Sequence, residues 1–381
     1  EMEFVYVLDT EAPVEIMIWL PQLKAFCTAE DMTHNMHNLQ TLRGAKVRNG
    51  LLWSKAIDTA IERYGDQVEV SFSTHHWPTW GNERIVDYWE AQRDMYRYLH
   101  DQTLHLANRG LTPDEIAEEM KLPASLASQF NCRGYYGTLS HNVKAQYDLY
   151  FGWFNGNPAH LNPLPPSELG SKYVEAIGGA DKVLEVAKAS YAKGEYRWVA
   201  TLLDNLVFAE PENKEARRLL ADTYTQLGYQ AESGPWRNFY LTGARDLFKK
   251  DVPYTSQLIN DGVLAQMDMG TLLDYCAIQL NGEKAAGKEA VININFTDTK
   301  EKVMLMLNNG VLNHRLDSQD EKADLTLEIE KMDFIKLFFG RTDLQTLLKT
   351  NKVRTTGNTQ AMDVICSAYE PADPNFKIVL P

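Results

Sequence analysis

Acidic and imidazole side chains follow predicted strands near the start of the chain, where they could bind metal ions. Glu11 follows the strand-like residues 4–8, Glu30 follows a later strand, and His75 comes directly after the alternating segment QVEVSFST. In open α/β sheets, ligands bind beyond the carboxyl ends of strands. Carboxylates and imidazoles bind divalent cations, and one carboxylate can bridge two of them. These residues indicate a metal-dependent hydrolytic site, although carboxylates at strand ends are more often solvated turn residues.

A polar cluster comes directly after Glu30. His34 and His37 are three positions apart and would share a face of a helix. That spacing is compatible with metal ligation. The interpretation that we favour for both histidines is a hydrogen bond to a metal ligand, or helix capping. Asn38 follows them. The guanidinium of Arg43 could bind a tetrahedral oxyanion with two donors, or could form a surface ion pair.

The segment RGYYGTLSHN, residues 133–142, is a second candidate for anion binding. Its two glycines flank Tyr135 and Tyr136, and His141 follows. The loop could hold these three side chains against an anion. Alternatively, it caps a helix beginning at Val143. The sequence leaves both interpretations open.

Composition excludes several classes of protein. The 381 residues carry a net charge of −14, which argues against a nucleic-acid partner because no basic surface offsets repulsion from phosphate. The four cysteines include no CxxC pair, so neither a structural zinc nor a disulfide scaffold is indicated. No apolar run reaches the ~18 residues that a membrane span needs, so we predict no transmembrane segment.

The elements that must position these residues divide the sequence into three parts. Residues 1–108 are predicted to be α/β and enter a strand pattern at once, so we expect the chain to begin within a domain. Residues 109–250 are predicted to be helical, with a tetratricopeptide-like helix pair inside residues 181–245. Residues 251–381 are predicted to be α+β, after a change of composition at residues 251–253. The predicted strands are residues 4–8, 15–20, 23–27, 67–73, 290–296, 302–307, 311–316 and 324–329, and predicted helices include residues 51–64, 334–340 and 344–348.

Three long segments resemble one known family. They are TEAPVEIMIWLPQLKAFCTAEDMTHNMHNLQTLRGAKVR, STHHWPTWGNERI and RGYYGTLSHNVKAQYDLYFGWFNGNPAHLNP. They are similar to the alkyl sulfatases (sodium dodecyl sulfate hydrolases) of the metallo-β-lactamase superfamily. The resemblance implies three domains: the C-terminal part of a metallo-β-lactamase αββα domain, an all-helical dimerisation domain, and an α+β domain similar to sterol carrier protein type 2, whose groove could hold an alkyl tail.

The resemblance also implies roles for single residues and a cofactor. It implies two Zn²⁺ per active site, with an alkyl sulfate as the substrate and a homodimer as the assembly. The implied metal ligands are Glu11, Glu30 as the bridging carboxylate, and His75; the implied sulfate contacts are Asn38, Arg43 and His141, with Tyr135 and Tyr136 beside them.

The sequence departs from the family at the HxHxDH motif, which is not found in these residues. We therefore expect the remaining zinc ligands to come from an N-terminal segment, and the chain to be a fragment or the partner of its own N-terminal piece. A signal for export would lie in that segment, so we expect a periplasmic or secreted protein, with a cytoplasmic location left open.

The predicted function is zinc-dependent hydrolysis of alkyl sulfate esters to alcohol and sulfate, with His141 as a proton donor to the leaving oxygen. One alternative is a non-catalytic fragment that binds an apolar ligand or dimerises. Another is a related hydrolase acting on phosphate esters or lactones. The matches at residues 38–43 and 135–141 argue against this last alternative.

Overall fold

The computed structural model describes residues 1–248, 260–373 and 375–381. They divide into two compact units, Glu1–Lys249 with Lys377–Pro381, and Lys250–Phe376. The change of composition predicted at residues 251–253 lies outside the described residues.

A five-stranded sheet opens the first unit, with strand order β1-β2-β3-β4-β5. Strands β3 and β4 are parallel, and the other neighbours are antiparallel. Strands β1, β3 and β4 therefore run in the same direction, and their carboxyl ends meet at one edge. The strands are β1 Glu3–Leu8, β2 Val14–Leu20, β3 Ala25–Cys27, β4 Val70–Phe72 and β5 Thr79–Trp80.

Two helices, α1 (Gly50–Tyr64) and α2 (Asn82–Ala107), pack with this sheet around an aromatic core. Asn49 caps α1, because its side-chain oxygen accepts hydrogen bonds from the backbone N–H groups of Leu51 and Leu52. Trp53 of α1 stacks on Tyr96 of α2 with ring centroids 4.6 Å apart. This core fixes the sheet edge that carries the site.

Several predicted elements have different bounds. The strand predicted at residues 23–27 is only β3, because Pro21–Leu23 is a 3-10 turn and Lys24 is left-handed with φ 48°. The strand predicted at residues 67–73 is only β4. His34 and His37 lie in a loop rather than on a helix, so they do not share the helix face that their spacing would have given them.

The rest of the first unit is helical. The predicted helix pair is present as α8 and α9, and Thr112 and Glu115 form a reciprocal capping box at the start of α3. The helix predicted to begin at Val143 begins four residues earlier. Within the described ranges, no helix is both long and apolar enough to cross a membrane. The helices are α3 Pro113–Glu119, α4 Ala124–Ala127, α5 Leu139–Phe151, α6 Pro166–Ile177, α7 Ala180–Ala192, α8 Tyr196–Ala209, α9 Lys214–Gln230 and α10 Gly234–Asp246.

The second unit is an α+β fold around a five-stranded sheet of order β10-β9-β6-β7-β8. Strands β6 and β9 are parallel, and the other pairs are antiparallel. The prediction of about five strands with several helices is confirmed, although strand β10 and helices α11, α12, α13 and α16 were not predicted individually. The elements are α11 Asp261–Gln266, α12 Met269–Ile278, α13 Gly282–Ala285, β6 Ala290–Phe296, β7 Lys302–Asn308, β8 Val311–Leu316, β9 Leu325–Ile329, α14 Lys331–Phe338, α15 Leu344–Lys349, β10 Val353–Gly357 and α16 Gln360–Cys366.

Candidate active site

A charged cavity of about 600 Å³ lies in the first unit. It gathers six of the eight site residues predicted from the sequence, and adds two histidines, an arginine and two small polar residues. The lining residues are Glu11, Glu30, Thr33, Asn35, His37, Arg43, Arg48, His75, His76, Tyr135 and Tyr136.

The sheet explains why residues far apart in sequence meet here. Glu11, Glu30 and His75 follow β1, β3 and β4, whose carboxyl ends lie at the same edge. Backbone hydrogen bonds join the loops after β3 and β4, from Thr28 N to Phe72 O at 2.8 Å and from Thr74 N to Ala29 O at 3.1 Å. The strand ends thus place carboxylates and an imidazole around one cavity.

The arrangement of these groups is compatible with a divalent cation. One ligand atom from each of Glu11, Glu30 and His37 lies within 4.8 Å of the others. His75 Nε2 is 2.5 Å from Glu30 Oε1, and His37 Nε2 is 3.3 Å from Glu30 Oε2. The hydrogen bond to His37, together with the charges of His37 and His75, lowers the pKa of Glu30 to about 2 in spite of its burial. Glu30 is therefore ionised at neutral pH and contacts both histidines, as expected of a bridging carboxylate.

His37 is better suited to ligation than the sequence indicated. Its Nδ1 lies 3.0 Å from the backbone oxygen of Asn38 and 3.3 Å from Nη1 of Arg48, and the shorter contact corresponds to the tautomer with a proton on Nδ1. An imidazole that donates Nδ1–H to a backbone carbonyl keeps Nε2 for a metal, which is a common arrangement in metal sites. The ring packs against Trp53 and Tyr136, with centroids 5.4 and 4.7 Å away. The loop, rather than any helical spacing, brings His37 into the site.

Arg48 is the main site residue that sequence reasoning missed. Its guanidinium donates to a carboxylate oxygen and the backbone oxygen of Glu11. It also donates to Oδ1 of Asn38 at 2.5 Å and to the backbone oxygen of Asn38 at 2.8 Å. Arg48 therefore joins the β1–β2 turn to the loop after β3. No local pattern marks it, because its partner Glu11 is 37 residues away.

Arg43 differs from Arg48 in having no fixed partner. It is exposed and lines the cavity, and among residues 1–248, 260–373 and 375–381 no ion pair involves it. An unpaired guanidinium at the mouth of a cavity is available to an incoming anion. This is the behaviour predicted for Arg43, although the role itself stays a prediction.

The loop that carries Tyr135 and Tyr136 is paired to the loop after β3. Met36 N donates to Arg133 O at 2.8 Å, and Gly137 N donates to Met36 O at 2.9 Å. A Cβ atom on Gly137 would lie 2.5 Å from the backbone oxygen of His37, so only glycine fits this approach. The pairing holds both tyrosines at the cavity.

Two predicted sulfate contacts do not line the cavity. Asn38 is buried, and its side-chain oxygen accepts a hydrogen bond from Arg48. His141 Nε2 lies 2.7 Å from the backbone oxygen of Gln40, and His141 Nδ1 accepts a hydrogen bond from Trp236 Nε1 at 2.9 Å. Burial lowers the pKa of His141, so the ring is neutral and has one proton, which the contact to Gln40 uses. In this geometry Asn38 contacts a residue that lines the cavity, Arg48, and His141 contacts Gln40 and Trp236 outside the cavity.

Asp31 adds a buried carboxylate beside the charged cavity. Neither of its oxygens has a hydrogen-bond partner among the described residues. Burial, followed by the nearby charges of Glu15, Glu11 and Glu30, raises the pKa of Asp31 to about 8. Burial thus favours the protonated form of Asp31, whereas contact with His37 and His75 favours the ionised form of Glu30.

A second cavity of about 980 Å³ adjoins the first and shares Asn35, His76 and Tyr135 with it. Most of its remaining lining is apolar, with Lys121, Arg133 and Glu232 as the charged members. An anionic head and an apolar tail could therefore occupy neighbouring spaces. The apolar lining residues are Met36, Trp77, Met120, Leu122, Ala127, Phe130, Cys132 and Leu139.

Known proteins resemble this chain along its whole length. Family models described as alkyl sulfatase dimerisation and alkyl sulfatase C-terminal match residues 112–250 and 257–381. A linear primary-alkylsulfatase of a Pseudomonas species is 45% identical over 100% of this chain and 56% of its own length. The solved structure of the stereoselective inverting sec-alkylsulfatase Pisa1, from Pseudomonas sp., superposes with a TM-score of 0.95 at 41% identity, over 100% of this chain and 60% of that one. This match confirms the predicted fold class.

The chain thus spans less than two thirds of those two relatives. A linear primary-alkylsulfatase from a further Pseudomonas strain is 31% identical, and there the match covers 98% of this chain and 72% of the relative. Together with the two family models, this relative shows that the chain belongs to the alkyl sulfatase family.

Proposed function

We propose that the protein containing this chain hydrolyses alkyl sulfate esters, such as dodecyl sulfate, to an alcohol and inorganic sulfate in a zinc-dependent reaction. The observation that carries the proposal is the pair of adjoining cavities, one charged and one apolar. A sulfate ester with a long alkyl chain has the same two parts. The names of the relatives support the ester class.

The residues of the charged cavity have separate tasks in this proposal. Arg43, which is free of an ion pair among the described residues, binds the sulfate oxygens and stabilises charge that develops on the leaving sulfate. Tyr135 and Tyr136 close the cavity and offer hydroxyl donors. Arg48 is already bonded to Glu11 and Asn38 and orients them.

The donor set fits zinc, because carboxylates and imidazoles are usual zinc ligands. Glu11, Glu30, His37 and His75 would hold the metal, and the resemblance implies two ions with further ligands from outside this chain. Bound zinc lowers the pKa of a coordinated water to near neutral, which makes hydroxide available. Manganese and iron accept the same ligands, so metal analysis of the purified protein is part of the test.

The apolar cavity predicts a dependence on chain length. Each buried methylene contributes ~0.8 kcal/mol, or roughly a fourfold gain in kcat/KM per carbon until the cavity is filled. Substitution of Trp77 by alanine should flatten this dependence. A non-catalytic protein that binds apolar ligands would also use this cavity, but it would bind dodecyl sulfate without releasing sulfate.

The test measures metal content and sulfate release for Glu30→Ala and Arg43→Ala. Glu30→Ala should lose both zinc and activity, because it removes the carboxylate that contacts two histidines. Arg43→Ala should retain zinc and lose ~10- to 100-fold in kcat/KM, the equivalent of a charged hydrogen bond. Glu69→Gln is the matched control, because Glu69 is exposed and forms an ion pair with the exposed Lys24. Unchanged zinc and activity in Glu30→Ala would refute the proposal.

We further propose a homodimer, which the dimerisation family model supports. Export to the periplasm or the medium remains a prediction from the resemblance, and fractionation of the producing cell tests it.

A further inference from the structure

The start of α10 is bonded to the loop that carries the two tyrosines of the charged cavity. Gly234 N donates to the backbone oxygen of Tyr135 at 2.7 Å. Ser233, which is almost fully buried, donates its hydroxyl to the backbone oxygen of Tyr136 at 3.2 Å. This turn of α10 is therefore attached to the site, although it lies 97 residues further along the chain.

Trp236, in the same turn, extends the contact through its side chain. The indole Nε1 donates to Nδ1 of His141 at 2.9 Å, and Nε2 of His141 lies 2.7 Å from the backbone oxygen of Gln40. The imidazole is largely shielded from solvent, because His141 is only 6% exposed. These three groups form a chain of two hydrogen bonds that runs from α10 through α5 to the loop after β3.

The two partners fix the position of the proton on His141. An indole N–H can only donate and a carbonyl oxygen can only accept, whereas a neutral imidazole has one donor and one acceptor. The tautomer with its proton on Nε2 is therefore the form of the ring that satisfies both partners. Burial, which lowers the pKa of His141, also favours the neutral ring. Without the indole N–H the other tautomer would no longer be excluded, and in that form Nε2 has no proton to donate to Gln40.

The bond to Gln40 holds the base of the turn that carries Arg43. A backbone hydrogen bond of 3.0 Å closes the turn of residues 41–44. Among the described residues, the hydrogen bonds that join residues 40–47 to the rest of the chain both involve Gln40. One is the 2.7 Å bond from His141, and the other is a 3.5 Å bond donated by the Gln40 amide. The bond from His141 is thus the closer polar contact that fixes this turn.

We propose that Trp236 is a positioning residue, which keeps Arg43 at the charged cavity by acting through His141. The indole N–H selects the tautomer of His141 that holds Gln40, and the turn that follows presents the guanidinium of Arg43 to an anion. Placement of the guanidinium matters because a charged hydrogen bond depends strongly on distance and direction. The role rests on the proposed function, in which Arg43 binds the sulfate.

The first experiment measures the KM and kcat of sulfate release from dodecyl sulfate by the whole natural protein. Trp236→Phe keeps an aromatic ring and removes the N–H donor. It should raise KM about fivefold, the equivalent of one hydrogen bond. The kcat and the zinc content should stay unchanged, because the contact is lost equally from bound substrate and transition state. Trp198→Phe is the matched control, since Trp198 is 50% exposed on α8, and should leave KM unchanged.

A double-mutant cycle then separates positioning from a general loosening of the fold. In a protein that already carries Arg43→Ala, Trp236→Phe should change kcat/KM by less than about twofold, since both substitutions remove the same interaction. A loss of similar size with and without Arg43, or no loss in either protein, would overturn the role of Trp236.

The second experiment does not require activity. Trp236 is replaced by 3-benzothienylalanine, which has the shape of tryptophan but a sulfur atom in place of the N–H group. Millisecond hydrogen exchange of the Gly44 amide, which closes the turn around Arg43, should accelerate about fivefold. The ring nitrogen-15 signals of His141 should move from those of one tautomer toward those of a mixture. If either the exchange rate or the ring signals stay unchanged, the proposal is overturned.

The two experiments distinguish failure of the positioning role from failure of the proposed function. If exchange and ring signals respond while the parent protein releases no sulfate, the proposed function is refuted and Trp236 still positions the turn. If the parent releases sulfate while Trp236→Phe and Arg43→Ala act additively, the proposed function stands and the positioning role is refuted.

Discussion

The loop of residues 28–41 and the sheet of the second unit are both buried, but they are held by opposite interactions. Apart from one bridge at Met36, the loop has no strand or helix, and seven of its buried side chains are polar: Thr28, Asp31, Thr33, Asn35, His37, Asn38 and Thr41. In the sheet of the second unit, the buried face of the central strands is apolar, with Ile292, Ile294, Leu305, Leu325 and Leu327 fully buried.

The loop keeps its shape through hydrogen bonds from distant helices. The backbone N–H of His37 donates a hydrogen bond to the hydroxyl oxygen of Tyr96 in α2 at 3.1 Å. Asn142 of α5 accepts from Leu39 N at 2.8 Å and donates to His37 O at 2.9 Å. Such polar networks specify one geometry, whereas the sheet depends on filled volume. Changes in the loop should therefore alter the chemistry of the site as well as its stability, whereas changes in the sheet should alter stability alone.

The largest effect is expected for Asp31→Asn. Because burial raises the pKa of Asp31 to about 8, the folded state holds this proton more tightly than the unfolded state, whose carboxyl titrates near pH 4. The stability from Asp31 is complete below about pH 4 and is lost as the pH rises through about 8. The asparagine variant has no such titration. Its free energy of unfolding should therefore exceed that of the parent by an amount that grows from near zero at pH 4 to on the order of 5 kcal/mol at pH 8.

Urea unfolding with a chelator present measures this effect by tryptophan fluorescence. All eight tryptophans lie between residues 19 and 236, so the signal reports the first unit. Parallel stability curves for the parent and the variant across this pH range would show that Asp31 is ionised when folded.

Leu327→Ala should have the next largest effect, confined to the second unit. Leu327 lies at the centre of β9 and is fully buried, and a cavity of this kind costs ~2–5 kcal/mol. Hydrogen exchange of β6 and β9 should accelerate while the fluorescence transition of the first unit stays unchanged. Glu328→Ala, on the opposite face of β9, is the control and should change stability by less than ~0.5 kcal/mol.

Arg48→Lys should change metal affinity rather than fold. Lysine keeps the charge but cannot bond both Glu11 and Asn38 with a planar fork. Loss of such a supporting contact lowers metal affinity ~10- to 100-fold, which titration with a zinc-sensitive dye measures. Arg63→Lys, in an exposed pair with Glu3, serves as the control. Equal zinc affinity in all three proteins would leave Arg48 without a role in positioning Glu11.

The difference between the two regions also explains what the sequence could predict. Alternating apolar residues located most strands of the second unit, because its sheet depends on local periodicity. That Glu11, Glu30 and His75 lie at one cavity could be predicted for a related reason, since strand ends are visible in the sequence and parallel strands share an edge. Each of these signals extends over fewer than ten residues.

The loop was harder to predict because its partners are remote. His37 was predicted to have a supporting role, because the spacing of His34 and His37 suggested ligation only if they lay on a helix, and they lie in a loop. Asn142 lies more than 100 residues from the backbone groups that it bonds. His141 was matched to a sulfate contact, but Gln40 and Trp236 occupy both of its ring nitrogens. Only the folded chain shows these pairings.

The smallest expected effect is that of Thr138→Ala, which tests how α5 supports the loop. Thr138 caps this helix by accepting a hydrogen bond from His141 N at 3.2 Å, and losing such a cap costs ~1 kcal/mol. The next turn carries Asn142, so the exchange of the Leu39 amide, which Asn142 bonds, should accelerate about fivefold at that cost. Thr138→Ser should restore the parent rate, because serine caps equally well. Faster exchange at Leu39 with unchanged zinc affinity would mean that the loop tolerates small loosening, whereas a loss of zinc comparable to that of Arg48→Lys would show that the polar network acts as one unit.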